Sequence, residues 1–387
     1  MPPRRSATKL PELTNVQILR GIAALFVVLY HVPDELADRG WDSSIFPVMW
    51  VGSAGVDIFF VISGFIMVYS TVGLFRQPRA SMNFFLRRLA RIVPLYWIFT
   101  TIAVFVTIRG ERHLDHPDYT IPHFIASYLF TFYLRPGFDD FPIYRQGWSL
   151  NYEMFFYVCF ALALMLSRPR ALVALSMGFV ALVGLGVAAL HGLISLPWPI
   201  EPLANSDLLE FVLGMVLAQL YLKGYRVPRP VAIAGAFAAL MTIMLTTTEV
   251  AGDWFPYRGF VWGPPAALLV ASAVMHEPLP TGAVRRSFEA LGDASYSLYL
   301  VHSAFFMMLF WLLGHVMDVH RIPALWAGAL MLFGAIGSAL LLYRYVERPI
   351  TRALQRWLRR VGPGVDGHRA APRHATASLA ADPATRV

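Results

Sequence analysis

Val16-Gln17-Ile18-Leu19-Arg20-Gly21-Ile22-Ala23-Ala24-Leu25-Phe26-Val27-Val28-Leu29-Tyr30-His31-Val32 is an apolar run broken by one arginine and one histidine. A helix needs about 20 such residues to cross about 30 Å of hydrocarbon, so the run reads as a transmembrane span. Pro33-Asp34-Glu35 follow it with no small-residue cleavage site, which fits a retained helix and not a signal peptide. Nine more runs of similar length lie at about 48–71, 89–108, 148–166, 171–195, 203–222, 231–251, 258–275, 291–313 and 323–345. One further segment, Ile121 to Leu134, is too short to cross and reads as re-entrant, interfacial or tucked into the bundle. The expected fold is an all-α integral membrane protein of about ten spans with one short extra segment.

Composition agrees. Of 387 residues, 57% are hydrophobic and only 14% charged, and the mean hydropathy is +0.55. Soluble domains carry about 25% charged residues, so a water-soluble enzyme, a disordered chain and a collagen-like fibre are excluded. A single cysteine, Cys159, rules out an internal disulfide framework, and no zinc-ligand spacing is present. The net charge of +8 does not mark a nucleic-acid partner, because the basic residues sit in short loops between apolar runs, where they set orientation in a bilayer.

Those loops test the topology. With the N-terminus in the cytosol and ten crossings, the outer loops hold Arg39, Arg109, Arg112, Arg135, Arg145, Arg258 and Arg321. That is 7 basic residues against 20 in the inner loops, which include Arg4, Arg5, Lys9, Arg87, Arg88 and Arg91. If the short segment crossed, Arg168 and Arg170 would move outside, against the positive-inside rule. The expected organisation is therefore a cytosolic segment 1–15, a transmembrane domain 16–350, and a cytosolic basic helix end with a disordered tail over 351–387. Both termini face the cytosol, in a multi-pass protein of the inner membrane. No internal repeat and no matched pair of broken helices is visible, so the usual sign of a secondary transporter is missing.

An ionisable side chain at a helix centre costs at least about 2.5–3.5 kcal/mol on insertion scales, so each one asks for a function. Arg20 and His31 are 11 residues apart. That is almost three turns, which puts both on one face, roughly 16 Å apart along the axis. Neutral imidazole is a usual general base, and a helix-end histidine is the plainer alternative. Asp57 lies between Gly55 and Phe59 in the second span. His31 and Arg20 are its expected partners, in catalysis or in a structural ion pair. Gly52, Gly55 and Gly64 are expected to be close-packing positions.

Arg87, Arg88 and Arg91 cluster at the start of the third span, with Arg87 and Arg91 on one face. Guanidinium groups suit phosphate, although a positive-inside anchor or a lipid headgroup site gives the same pattern. Ser149 and Glu153 share a face beside Trp148, which is either an interface anchor or a stacking platform for a sugar. Asn205, Asp207 and Glu210 lie near the outer end of a later span, and Tyr299 and His302 share a face further on. Arg344 and Glu347 read as a local ion pair. The layout is a basic inner rim, a polar stripe through the membrane, and carboxylates, tryptophan and histidine near the outer rim. It fits chemistry across a membrane.

Six blocks then carry a resemblance. They are Leu19 to Ala24 through His31; Gly55-Val56-Asp57 to Phe65; Arg87-Arg88-Leu89-Ala90-Arg91 to Tyr96; Trp148-Ser149-Leu150 with Glu153; Tyr299 with His302; and Glu347 with Pro349. In this order, from about Thr14 to Ile350, they resemble the membrane-bound acyltransferase family 3. These integral-membrane O-acyltransferases modify lipopolysaccharide, peptidoglycan, exopolysaccharides, Nod factors and some antibiotics. The chain looks most like the short, exopolysaccharide-type O-acetyltransferases. The resemblance implies acyl-CoA, usually acetyl-CoA, as a cytosolic co-substrate, with no bound cofactor and no metal. It also implies a saccharide acceptor, lipid-linked or at the cell surface, and makes His31 the leading catalytic candidate.

The expected site therefore has His31, Asp57 and Glu153 in catalysis, Asp57 or Glu153 holding the imidazole. Arg20, Arg87, Arg88 and Arg91 bind acyl-CoA, and Trp148, Ser149, Tyr299 and His302 bind the acceptor. Two rival readings share the same helices: a transporter or flippase for a lipid-linked sugar or small acid, and a non-catalytic scaffold.

Overall fold

The computed structural model describes residues 13–109, 120–133, 141–247, 255–276 and 282–361. Helices joined by turns and short irregular links make up these residues, and no strand occurs among them. Arg4, Arg5, Lys9, Arg112, Arg135, the end of the short segment at Leu134 and the tail beyond Val361 lie outside the described residues.

The helices are α1 (Thr14–Asp38), α2 (Gly55–Ser70), α3 (Ala80–Ile108), α4 (Ile121–Tyr128), α5 (Gly147–Ala163), α6 (Arg168–Leu190), α7 (Leu208–Leu222), α8 (Arg229–Leu245), α9 (Gly263–Val274), α10 (Ala283–Asp293), α11 (Ser295–Val316), α12 (Ala324–Leu342) and α13 (Arg348–Val361). Seven helical stretches are long and apolar enough to cross a bilayer: Thr14–Asp38, Met49–Ser70, Ala80–Ile108, Arg168–Leu190, Ile200–Leu222, Ser295–Val316 and Ala324–Arg360. Many of their large apolar side chains point outward, among them Phe105, Met177 and Phe333. Helices apolar all round, with greasy outer faces, belong in lipid. The protein is a multi-pass membrane protein.

Three of the ten expected spans are shorter helices. The α5 and α8 helices have 17 residues each and α9 has 12. In α9 the cause is local: Gly263-Pro264-Pro265 opens the helix, and proline has no N–H with which to continue the turn at Arg258–Val261 before it. The short expected segment is α4. At 8 residues it is about 12 Å long, too short to cross. It is tied to α3 instead: Tyr96 Oη donates to Ser127 O at 3.1 Å, and Trp97 Nε1 to Tyr128 O at 2.9 Å.

Close helix crossings use the glycines. A Cβ on Gly52 would lie 2.0 Å from Phe26 O, and one on Gly64 2.2 Å from Phe211 O. So α1 presses directly on the turn before α2, and α7 on α2 itself, as expected for small residues in membrane helices. Sequence-distant ends are also tied together. Asn15 Nδ2 donates to Ala273 O at 2.7 Å, and Arg168 Nη2 to Gln219 Oε1 at 2.7 Å.

At the C-terminal side α12 does not stop near residue 345. It passes through a π-helical turn, Tyr343–Glu347, into α13. The wider turn carries Glu347 inward, where it is buried and accepts from Ser297 Oγ at 2.6 Å. The expected Arg344–Glu347 ion pair is thus replaced by a contact across helices, and no ion pair joins these two among the described residues.

Candidate active site

The first helix presents Arg20 and His31 to two different cavities inside the bundle. This follows from three turns of α-helix: the two side chains share a stripe but stand roughly 16 Å apart. The inner chamber, about 100 Å³, is lined by Arg20, Ser63, Arg88, Arg91, Ser149, Glu153, Tyr157 and Tyr299, among others. Arg20 Nη1 donates to Gln17 Oε1 at 3.0 Å. The Arg88 guanidinium lies 5.5 Å from the Phe84 ring and 5.7 Å from that of Tyr157. Among the described residues no ion pair holds Arg20, Arg88 or Arg91. The chamber's carboxylate, Glu153, accepts from Ser63 Oγ at 2.9 Å and from Tyr157 Oη.

The second chamber, about 170 Å³, is lined by Tyr30, His31, Ser53, Val56, Arg145, Gln146, Trp148, Arg258 and Tyr299, with Val27 and Phe141. Val56 and Tyr299 line both chambers, so the wall between them is about one side chain thick. Tyr299 Oη donates to Gln146 O at 2.9 Å and lies 2.6 Å from Ser149 Oγ. A phenol has one proton, so Ser149 is the donor in the second contact.

Behind His31 stands His302, fully buried, its ring stacked at 5.1 Å and 24°. His302 Nδ1 lies 3.1 Å from Leu298 O. A carbonyl only accepts, so this nitrogen carries the proton, which leaves Nε2 without a hydrogen-bond partner among the described residues.

A third cavity opens beyond Trp148. This vestibule, about 470 Å³, shares Phe141, Trp148 and Arg258 with the histidine chamber. Arg258 is locked in place. Its Nε donates to Asp57 Oδ1 at 3.0 Å, and its Nη2 to Asp57 Oδ2 at 2.6 Å and to Ser53 O at 2.5 Å. Both members of the pair are buried, at 7% and 1% side-chain exposure. A two-pronged guanidinium–carboxylate pair of this kind is strongly directional.

Several expectations change. Asp57 pairs with Arg258 and not with His31 or Arg20, because Asp57 sits in the first turn of α2, level with Arg258. Neither Asp57 nor Glu153 holds the imidazole; the ring against His31 is His302. Glu153 is one turn below Ser149 on α5 and lines the arginine chamber. Arg87 is exposed and lines none of these cavities. The inward pair is Arg88 and Arg91, at i and i+3. His302 is too deeply buried to line either chamber, whereas Trp148, Ser149 and Tyr299 all line at least one.

Arg258, Arg145 and Gln146 were not singled out by the sequence. For Arg258 there was a signal. Asp57, Asp207 and Glu210, three carboxylates in apolar surroundings, need a cation nearby, and Arg258 opens a span at the same level.

A family described as "Acyltransferase domain" matches residues 13–344. The exopolysaccharide production protein ExoZ of Rhizobium meliloti is 36% identical over 325 residues, covering 83% of this chain and 95% of that protein. Acyltransferase MdmB of Streptomyces mycarofaciens is 30% identical over 393 residues, covering 92% and 95%. The peptidoglycan O-acetyltransferase OatA of Listeria monocytogenes is 23% identical over 366 residues, which is 87% of this chain and 56% of that longer protein. No solved structure matches the chain.

Proposed function

The chain belongs to the membrane-bound acyltransferase family 3, and on that premise we propose that it moves an acetyl group from cytosolic acetyl-CoA to a hydroxyl of a surface polysaccharide or its precursor. It is an O-acetyltransferase of the multi-pass membrane type. The seven long spans together with α5, α8 and α9 make ten crossings. Residues 16–350 form the transmembrane unit, with 1–15 and 351–387 in the cytosol of a cell with this protein in its inner membrane.

One observation carries the reading: the arginine chamber and the histidine chamber meet at Val56 and Tyr299 along one stripe of α1. Arg20, Arg88 and Arg91 take the phosphates and pantetheine arm of the donor, since unpaired guanidinium groups bind phosphate in two-pronged fashion. Arg87 stays at the rim. The thioester reaches the wall at Tyr299 and Ser149. The acceptor hydroxyl lies in the chamber against His31 and Trp148. His31 takes the hydroxyl proton as the oxygen attacks the thioester carbon. The C–S bond breaks, the ester C–O bond forms, and the proton passes to the coenzyme A thiolate. Arg20 is assigned to the donor and not to the oxyanion, because roughly 16 Å along the helix separates it from His31. His302 supports the His31 ring from behind instead of touching the acceptor.

Mass spectrometry of surface glycans from cells with and without the gene tests this. A step of about 42 Da per acetyl group, the mass gained when C2H3O replaces H, is expected only with the wild-type gene and not with His31→Ala. A transporter would move solute without consuming acetyl-CoA.

A further inference from the structure

The vestibule beyond Trp148 has no part in the transfer step, yet it is built like a binding site. Asp207 lines it and is 3% exposed, and its Oδ1 has no hydrogen-bond partner among the described residues. The turn that presents it is fixed: Asn205 Oδ1 accepts from Asp207 N at 3.0 Å, Ser206 Oγ donates to Pro256 O at 3.1 Å and accepts from Gly259 N at 3.0 Å. A buried acceptor without a donor is costly, and a ligand or a water normally supplies one.

The cation lining this space among the described residues is Arg258, and Asp57 holds it with both oxygens. An anionic ligand therefore meets a cation whose charge Asp57 already balances, beside the carboxyl groups of Asp207 and the exposed Glu201, whereas those two offer acceptors to a neutral ligand. Trp148, half-buried, gives one ring to the chamber and the vestibule alike. Acceptors set around an aromatic face suit a hydroxyl-rich, uncharged ring. The vestibule has more than twice the volume of the histidine chamber, about 470 against about 170 Å³.

We propose that the vestibule is a second saccharide subsite, where Asp207 and Trp148 hold the sugar next to the one that is acetylated. The acceptor is then read as an oligosaccharide of two or more units, and Asp207 is a specificity-determining residue. This rests on the acyltransferase reading above.

The test uses the full chain in lipid nanodiscs with labelled acetyl-CoA. Acceptors are de-O-acetylated oligosaccharides of one to four sugars, cut from the surface polysaccharide of the producing cell. KM for the acceptor should fall about 10-fold from one sugar to three. Asp207→Asn should remove about that much of the advantage, as expected for one buried hydrogen bond, while KM for acetyl-CoA stays put. Glu201→Gln, at an exposed position, should remove a smaller part of it. Equal KM at all lengths, or a length dependence that survives in Asp207→Asn, overturns the proposal and points to water as the partner of Asp207. If Asp207→Asn fails to fold, Glu201→Gln decides: an unchanged length dependence counts against the subsite. If wild-type protein labels no saccharide at all, the acyltransferase reading itself fails, and the subsite with it.

Discussion

The arginines of the inner chamber and Arg258 of the outer one differ in how they are held. Arg258 is tied by both oxygens of Asp57 and by Ser53 O, and is buried. Arg88 and Arg91 face a cavity with no ion pair among the described residues, and Arg20 has only the amide of Gln17. A guanidinium whose charge is met by a buried carboxylate braces the fold. One whose donors face open space is ready for an anion. Composition and spacing do not separate these two kinds of arginine, but their partners do.

The largest effect should come from neither kind. His31→Ala removes the proposed base, and transfer should fall by about 10²–10⁴-fold with normal membrane insertion, read as acetyl groups per saccharide at matched protein levels. Next comes the braced arginine. Arg258→Ala leaves Asp57 buried without a partner, which typically costs about 3–5 kcal/mol. The expected result is a sharp drop in Tm and in yield of folded protein. Loss of activity with an unchanged Tm would move Arg258 out of its structural role. Arg91→Gln and Arg88→Gln should do the reverse: KM for acetyl-CoA up by about 10-fold each, with little change in Tm. If they lower Tm as Arg258→Ala does, the two regions do not differ as described. Arg87→Gln is the smallest case. As an exposed change away from the cavities it should stay within about 0.5 kcal/mol in stability, with donor KM nearly unchanged.

Much of this was legible in the sequence. The apolar runs gave the helices, and 11-residue spacing gave the shared face of Arg20 and His31. What stayed hidden was contact between distant segments. Asp57 and Arg258 are 201 positions apart, and no local pattern pairs them. His302 meets His31 only once α11 packs on α1. The choice between Arg87 and Arg88 depends on how α3 is rotated in the bundle, which helical period alone leaves open. Span length failed for a different reason: the Gly263-Pro264-Pro265 start of α9 divides an apolar run that hydropathy reads as continuous. The π turn at Tyr343–Glu347 likewise redirects Glu347, whose i, i+3 distance from Arg344 suggested a local pair.

The most direct measurement uses proteoliposomes with labelled acetyl-CoA sealed on the side of Arg88 and Arg91 and a saccharide acceptor only on the side of Trp148. Label on the saccharide with wild-type protein, and none with His31→Ala, is the expected outcome. Equal labelling by His31→Ala, or labelling only when donor and acceptor share one side, would contradict transfer between the adjoining chambers.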